Sequence, residues 1–218
     1  MCYNTKLTKK VSEIESRFKA IFEDVDLYTE HEEINAFAHP KKPIITSLNQ
    51  KNIHLSRRGL IPNWAKNDSI KKQTLNARIE TLNEKPSFRE NVTNRCLILA
   101  TGFYEWQWLD TKGTHKQKYE IGLENENLFA FAGLWSNWFD KTLNDTVHTY
   151  TIVTTKAQGI MKEIHNTKQR MPVILNSDNE TEWLLNSSLD NFKKVDVKLL
   201  AKKIIKNSSN DNQLSIFG

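Results

Sequence analysis

Glycine is scarce in this chain of 218 residues, with only 7. The dinucleotide fingerprint G-x-G-x-x-G and the phosphate loop ending in Gly-Lys-Ser/Thr are both missing, which excludes two common backbone cradles for nucleotides. There is no C-x-x-C, no H-E-x-x-H and no tight His/Asp cluster, so no metal or other cofactor is expected. The G-x-S-x-G elbow of α/β-hydrolases is missing as well. The cysteines number 2, Cys2 and Cys96, and do not make a disulfide framework. No apolar run approaches the length of a membrane span. The stretch "NTKLTKKVSEIESR" is polar where a signal peptide would carry its apolar core, so a cytoplasmic location is expected.

What is present describes a globular protein. Hydrophobic residues make up 38% and aromatics 10%, and the length suits one domain with a real core. Residues 8–22, "TKKVSEIESRFKAIF", put Val11, Ile14, Phe18, Ile21 and Phe22 on one helical stripe. "RCLILATGFYEWQW", "QKYEIGL", "LFAFAGLWSNWF", "HTYTIVTT" and "RMPVIL" are β-branched, aromatic or apolar and read as strands. "AQGIMKEIH" and "DNETEWLLN" read as short helices. The expected class is α+β: a mostly antiparallel sheet, curved or closed into a barrel, with peripheral helices. The domain is expected to span residues 1–195. Residues 196–218 then hold an amphipathic helix over "DVKLLAKKII", a polar linker "KNSSNDN" and an apolar end, "QLSIFG". The net charge of +5 suits an anionic partner, nucleic acid first.

Four stretches concentrate polar groups beside strand-like segments. The first is Met1-Cys2. If Met1 is removed, Cys2 carries a free α-amine and a thiol on one residue. The second is "LNARIET", with Asn76, Arg78 and Glu80. Asn76 is open to a turn role and Arg78 to a pairing with Glu80. The third is "GFYEW", where Glu105 stands among aromatics. It is either the outward side of an alternating strand or a partly buried carboxyl whose raised pKa suits proton transfer. The fourth is "EIHNTKQRMP", where His165 is either a general acid–base or a structural residue at a helix end. Cys96, inside "RCLILA", reads as a packed core thiol.

The ordered set Met1-Cys2, "GLIPNWA" (59–65), "NARIET" (76–81), "KPSFRE" (85–90), "RCLILATGFYEW" (95–106), His165 and "RMPVIL" (170–175) resembles the SRAP family, the SOS-response-associated peptidases that process abasic sites. The resemblance covers roughly the first 190 residues. It implies a β-rich fold with a groove for single-stranded DNA and a likeness in chemistry. The resemblance implies that Met1 is lost, with autocatalytic removal in the manner of a peptidase open to it, and that Cys2 joins covalently to abasic sites as a thiazolidine. Minor AP-lyase cleavage from the Schiff base is expected with it. On this resemblance the catalytic residues are Cys2, Asn76, Glu105 and His165. The DNA-binding residues are Arg78, Trp64, Arg58, Pro62, Arg89 and Arg170. The partner is single-stranded DNA containing abasic sites, the location is cytoplasmic and on the nucleoid when DNA is bound, and the protein is expected to be a monomer.

The chain departs from the family pattern in three places. Tyr3 and Asn4 follow Cys2, where the family often has Gly-Arg. Arg58 stands before the "GL" motif, where a tryptophan is common; it would still offer a planar guanidinium to a base. Three residues are inserted between His165 and Arg170. The end of the chain, "QLSIF", resembles the pentapeptide by which bacterial replication and repair proteins dock on the sliding clamp. Gln213 would bond at its mouth while Leu214, Ile216 and Phe217 fill an apolar groove. Two other functions fit the residues less fully: a Cys2-dependent thiol peptidase or hydrolase, and a non-catalytic module that binds single-stranded DNA.

Overall fold

The β-branched and aromatic runs do form strands, and their alternation explains how they are buried on two sides. The computed structural model describes residues 2–124 and 127–205. In chain order the elements are β1 (Asn4–Leu7), α1 (Val11–Phe18), β2 (Ile21–Phe22), β3 (His31–Asn35), β4 (Lys41–Thr46), β5 (Asn52–Arg58), β6 (Asn76–Arg78), β7 (Arg95–Ala100), β8 (Gly102–Trp108), β9 (Lys116–Leu123), β10 (Phe129–Asp140), β11 (Asp145–Lys156), α2 (Met161–Ile164), β12 (Arg170–Pro172), β13 (Ile174–Leu175), α3 (Glu180–Leu184) and β14 (Leu199–Lys203). A five-stranded sheet runs β14-β9-β8-β1-β3, and a nine-stranded sheet carries the order β12-β11-β10-β7-β4-β5-β2.

The larger sheet closes on itself. Strands β11, β10, β7, β4 and β5 pair in turn, and β5 returns to β11 through the parallel pairs Thr149↔Arg57 and Tyr150↔Arg58. The result is an α+β fold with a closed β-barrel and peripheral helices. Strand β6 lies parallel on the same β11, two residues further on, with Ile152 opposite Asn76 and Thr154 opposite Arg78. Strand β1 pairs antiparallel with β8, Asn4 opposite Tyr104. That register carries Cys2 and Tyr3 along the Glu105 end of β8.

Two expectations change. The helix drawn over residues 8–22 stops at Phe18, because Lys19 takes the left-handed conformation (φ 52°) and turns the chain. Ile21 and Phe22 instead pair in parallel with Asn52 and Ile53 of β5. The amphipathic helix placed over "DVKLLAKKII" is a strand: β14 pairs antiparallel with β9, Ala201 opposite Ile121. Leu199 and Ala201 pack on the core while Leu200 is exposed, so the pattern was period two on a sheet edge, not period 3.6. The fold therefore continues past residue 195 to Lys203 at least. The motif residues Gln213, Leu214, Ile216 and Phe217, like Met1, lie outside the described residues.

Candidate functional site: the amino-terminal end of the chain

Three strands and one turn bring the candidate residues together. Strand β1 delivers Cys2, β6 delivers Asn76, and β8 delivers Glu105. The turn after α2 delivers His165. Cys2 has no exposed surface and sits among Ile44, Cys96, Phe103 and Tyr150. Burial pushes its thiol up to about 12, with the Glu105 carboxylate adding to the rise and the Arg58 guanidinium opposing it. The thiol is therefore protonated at neutral pH.

Glu105 is 4% exposed, and desolvation raises its carboxyl to about 7. It is the buried member of the two readings its strand allowed, and it is balanced between acid and base at physiological pH. His165 Nε2 lies 3.7 Å from Glu105 Oε2. Burial lowers this imidazole to about 4, so it is neutral at pH 7. Its Nδ1 accepts the Arg170 backbone N–H at 3.3 Å, which assigns the ring proton to Nε2, on the Glu105 side. Tyr3, Glu105, Trp106, Trp108, Lys116 and His165 line a cavity of about 350 Å³ that opens to solvent. Glu105 and His165 thus face this cavity, while Cys2 and Asn76 are not among its lining residues.

Asn76 is tied in from the other side. Its Oδ1 accepts from Arg58 Nη2 at 3.1 Å, and the same nitrogen donates to the Cys2 carbonyl at 3.0 Å. Arg58 is thus a correction to the expectation of a base-stacking plane. Its side chain is turned inward, 2% exposed, and its guanidinium lies 5.5 Å from the centre of the Tyr150 ring. Arg170 is turned inward as well. It holds Glu80 through two bonds of 2.8 and 2.9 Å and reaches the Thr154 carbonyl at 2.7 Å. Its work is to fix "NARIET" against the His165 turn, not to meet a phosphate.

Among the other DNA-facing candidates, Arg78 is exposed on the same strand as Asn76, two residues on, so both project from one side of β6. Trp64 is 49% exposed at the tip of a turn closed by Ala65 N–H to the Pro62 carbonyl, and Pro62 itself is buried at the turn's base. Arg89 is exposed in a short 3₁₀ turn. Cys96 is a buried free thiol in β7. Among the described residues no cluster of His, Cys, Asp or Glu is arranged to hold a metal ion, and no helix is long and apolar enough to cross a membrane.

Sequence reasoning missed Tyr3 and Trp108 as walls of the cavity. Tyr3 also packs on the exposed Phe37 ring, centroid to centroid 4.7 Å, beside Cys2. The signal available was position alone: Tyr3 is next to Cys2, and Trp108 follows Trp106 by one strand period.

The site's frame has known counterparts. The family model described as "SOS response associated peptidase (SRAP)" matches residues 1–211. The chain is 46% identical over 155 residues to the abasic site processing protein YoqW of Bacillus subtilis, a match covering 69% of this chain and 66% of that protein. It is 30% identical over 182 residues to abasic site processing protein HMCES of Xenopus tropicalis, covering 69% and 52%. The matched stretches thus span about two thirds and about half of those relatives' lengths. A crystal structure of a protein from Bacteroides thetaiotaomicron superposes with a TM-score of 0.86 at 33% identity, covering 94% of this chain and 93% of that one. A Bordetella bronchiseptica protein at 19% identity shares the fold, with a TM-score of 0.75. This chain belongs to the SOS response associated peptidase (SRAP) family.

Proposed function

We propose that this protein, after loss of Met1, captures abasic sites in single-stranded DNA by forming a thiazolidine through Cys2, and so shields the lesion. The observation that carries this reading is the placement of Cys2. It is held by its carbonyl beside Asn76, with a carboxyl raised to about 7 and a neutral imidazole 3.7 Å apart at the mouth of one cavity. The names of the relatives point to the same substrate.

The chemistry follows from one residue carrying two nucleophiles. The α-amine has an ordinary pKa of about 7.7–8.0, so a useful fraction is unprotonated at neutral pH. It adds to the aldehyde carbon of the opened deoxyribose, and the carbinolamine loses water to give an imine. Glu105 supplies the proton that leaves with the water. The Cys2 thiol then adds across the imine carbon. Its proton passes to Glu105, the nitrogen regains one, and a five-membered ring of sulfur, nitrogen, the sugar carbon, Cα and Cβ closes. Closure within one residue has the advantage of proximity. His165 Nε2–H assists opening of the sugar ring and the reverse release. Asn76 binds a sugar oxygen, and exposed Arg78 takes a phosphate beside the lesion. Trp64 and Arg89 extend the DNA path. Elimination of the 3′ phosphate from the imine is the expected minor lyase activity.

The thiol favours this order over a thiol hydrolase. A hydrolase needs thiolate first, and with Met1 in place burial pushes the Cys2 thiol up to about 12. Amine-first capture needs none. The test is direct. The protein with Met1 verified as removed is incubated with a single-stranded oligonucleotide bearing one abasic site and run on a denaturing gel. A covalent band is expected, and it should vanish in Cys2→Ser. No band from the wild type sinks the reading. Cleavage of a peptide without a DNA band would make it a hydrolase, and retention only under native conditions would make it a binding module.

The sliding clamp is the second proposed partner, through Gln213, Leu214, Ile216 and Phe217. Removing residues 213–218 is expected to weaken clamp pull-down and leave crosslinking intact. Unchanged clamp binding would reject it.

A further inference from the structure

Arg58 carries a charge into the interior, and a buried guanidinium has to be met by fixed acceptors. Those it meets are uncharged oxygens of the site's own frame. Nε donates to the Leu75 carbonyl at 2.9 Å, and Nη2 donates one hydrogen to the Cys2 carbonyl at 3.0 Å and the other to Asn76 Oδ1 at 3.1 Å. The residue is anchored at both backbone groups as well. Its N–H donates to the Pro40 carbonyl at 2.9 Å, and its carbonyl accepts from His39 Nδ1 at 2.9 Å. It belongs to the pair with Tyr150 that closes the barrel. The next residue must be glycine: Gly59 has φ 99°, and a Cβ there would come within 2.6 Å of the Lys71 carbonyl oxygen.

Two consequences follow for the reacting groups. The Cys2 carbonyl is pinned, which fixes the Cα that bears the amine and the Cβ that bears the thiol. The Asn76 amide has only one tenable orientation, because the flipped amide would press its NH₂ donors against a guanidinium donor. Nδ2 is therefore turned away from Arg58. It is buried and without a hydrogen-bond partner among the described residues. A buried donor in that state awaits an acceptor.

We propose that Arg58 is a positioning residue for covalent capture: its Nη2 clamps the Cys2 carbonyl and the Asn76 amide in one geometry, so that Asn76 Nδ2 is presented to an oxygen of the opened sugar. The proposal rests on the capture reading above. The amino-terminal segment is held from inside by its carbonyl.

Single-turnover crosslinking tests it. The full-length protein lacking Met1 is mixed with single-stranded DNA bearing one abasic site, over a range of DNA concentrations, for wild type, Arg58→Lys and Arg58→Met. Affinity is measured in parallel for the same strand carrying a tetrahydrofuran analogue, which has no aldehyde. The maximal rate is expected to fall about 10- to 100-fold in both variants. The half-saturating DNA concentration and the tetrahydrofuran-DNA affinity should stay within about threefold of wild type. Lysine keeps the charge and loses the fork, so its loss of rate isolates geometry. A wild-type maximal rate in Arg58→Lys overturns the proposal, as does a loss of tetrahydrofuran-DNA affinity in that variant proportional to its loss of rate, which would make Arg58 a DNA contact. If Arg58→Met does not fold, Arg58→Lys decides alone. A wild type that forms no crosslink overturns the capture reading and this proposal with it. A crosslinking wild type beside an unimpaired Arg58→Lys overturns this proposal only.

Discussion

Strands β4, β7 and β10 have a core on each face. Ile45, Leu97, Leu99, Ala130 and Leu134 point to one, where they meet Ile14 of α1 and Trp183 of α3. Ile44, Cys96, Ile98, Phe129 and Phe131 point to the other, where they meet Cys2, Phe103 of β8 and Ile121 of β9. The first core is mainly apolar, with Arg95 and the Arg17–Glu180 pair beside it, and its apolar residues gain stability from removed surface and close packing. The second surrounds Cys2 and backs Glu105, Arg58 and His165, all buried polar groups. There burial costs stability and delivers shifted titrations, a thiol kept protonated and a carboxyl near 7. One sheet thus separates a mainly apolar core from one that backs the buried polar groups of the candidate site.

The sharpest way to break this division is to damage the apolar side and watch the reactive side. Trp183 is fully buried. Its Nε1 donates to the Cys96 carbonyl at 3.1 Å, Phe192 meets its ring edge-on at 5.0 Å, and the Arg95 guanidinium lies 4.4 Å from its centre. Trp183→Ala is expected to cost about 3–5 kcal/mol in a denaturant titration. At a temperature where the variant is folded, its crosslinking rate should match wild type within about threefold. A collapse of rate in the folded variant would show that the cores are not insulated.

On the reactive side the comparison predicts the opposite trade. The folded state holds the Glu105 proton up to about pH 7, whereas an unfolded chain releases it near 4.5. Between those values the folded state binds more protons, so this residue's contribution to stability is present below pH 4.5 and is lost as pH rises to 7. Glu105→Gln removes that loss, and its stability relative to wild type should improve by about 3 kcal/mol across the window. His165, lowered to about 4, contributes a slope of the opposite sign between about 4 and 6.5, and because it lies 3.7 Å from Glu105 the difference between the two proteins reports the pair. Crosslinking by Glu105→Gln should fall about 100-fold. A pH-independent stability difference would mean that Glu105 titrates normally.

Gly133 gives a smaller test at the boundary. A Cβ there would meet Ile98 Cδ1 and come within 2.8 Å of Cys96 Sγ. Gly133→Ala overpacks the reactive core from its floor and should cost about 1–3 kcal/mol. Because Cys2 is held by its carbonyl and not by Gly133, the crosslinking rate should change less than threefold.

The two sides were not equally legible. "RCLILA" reads as a buried strand, and Cys96 as a core thiol, because an unbroken apolar run needs no partner to be interpreted. Glu105 was legible as a dilemma, and only the packing of β1 along β8 resolves it. Arg58 and Arg170 were misread as DNA contacts. An arginine at a strand end looks the same whether it faces solvent or a carbonyl, and the acceptors here come from Cys2, Leu75 and Thr154, remote in sequence. Strand β14 was misread because "VKLLAKK" satisfies both periods, and only the open edge of β9 selects one.

The end of α1 is the same problem on the apolar side, and it offers the smallest test. Its stripe of Val11, Ile14 and Phe18 continues in sequence through Ile21 and Phe22, yet the helix ends at Phe18, because Lys19 adopts φ 52°. A non-glycine residue pays for its Cβ in that conformation, and helices usually place glycine there. Lys19 is exposed, and no bond to its side chain holds the turn among the described residues. Lys19→Gly relieves the strain but frees the unfolded chain, and the two effects oppose each other. Strain relief wins where φ is positive, so thermal unfolding should show a gain of up to about 1 kcal/mol with no change in crosslinking. A loss of stability would mean that the Lys19 stem packs on the apolar core more than its backbone suffers.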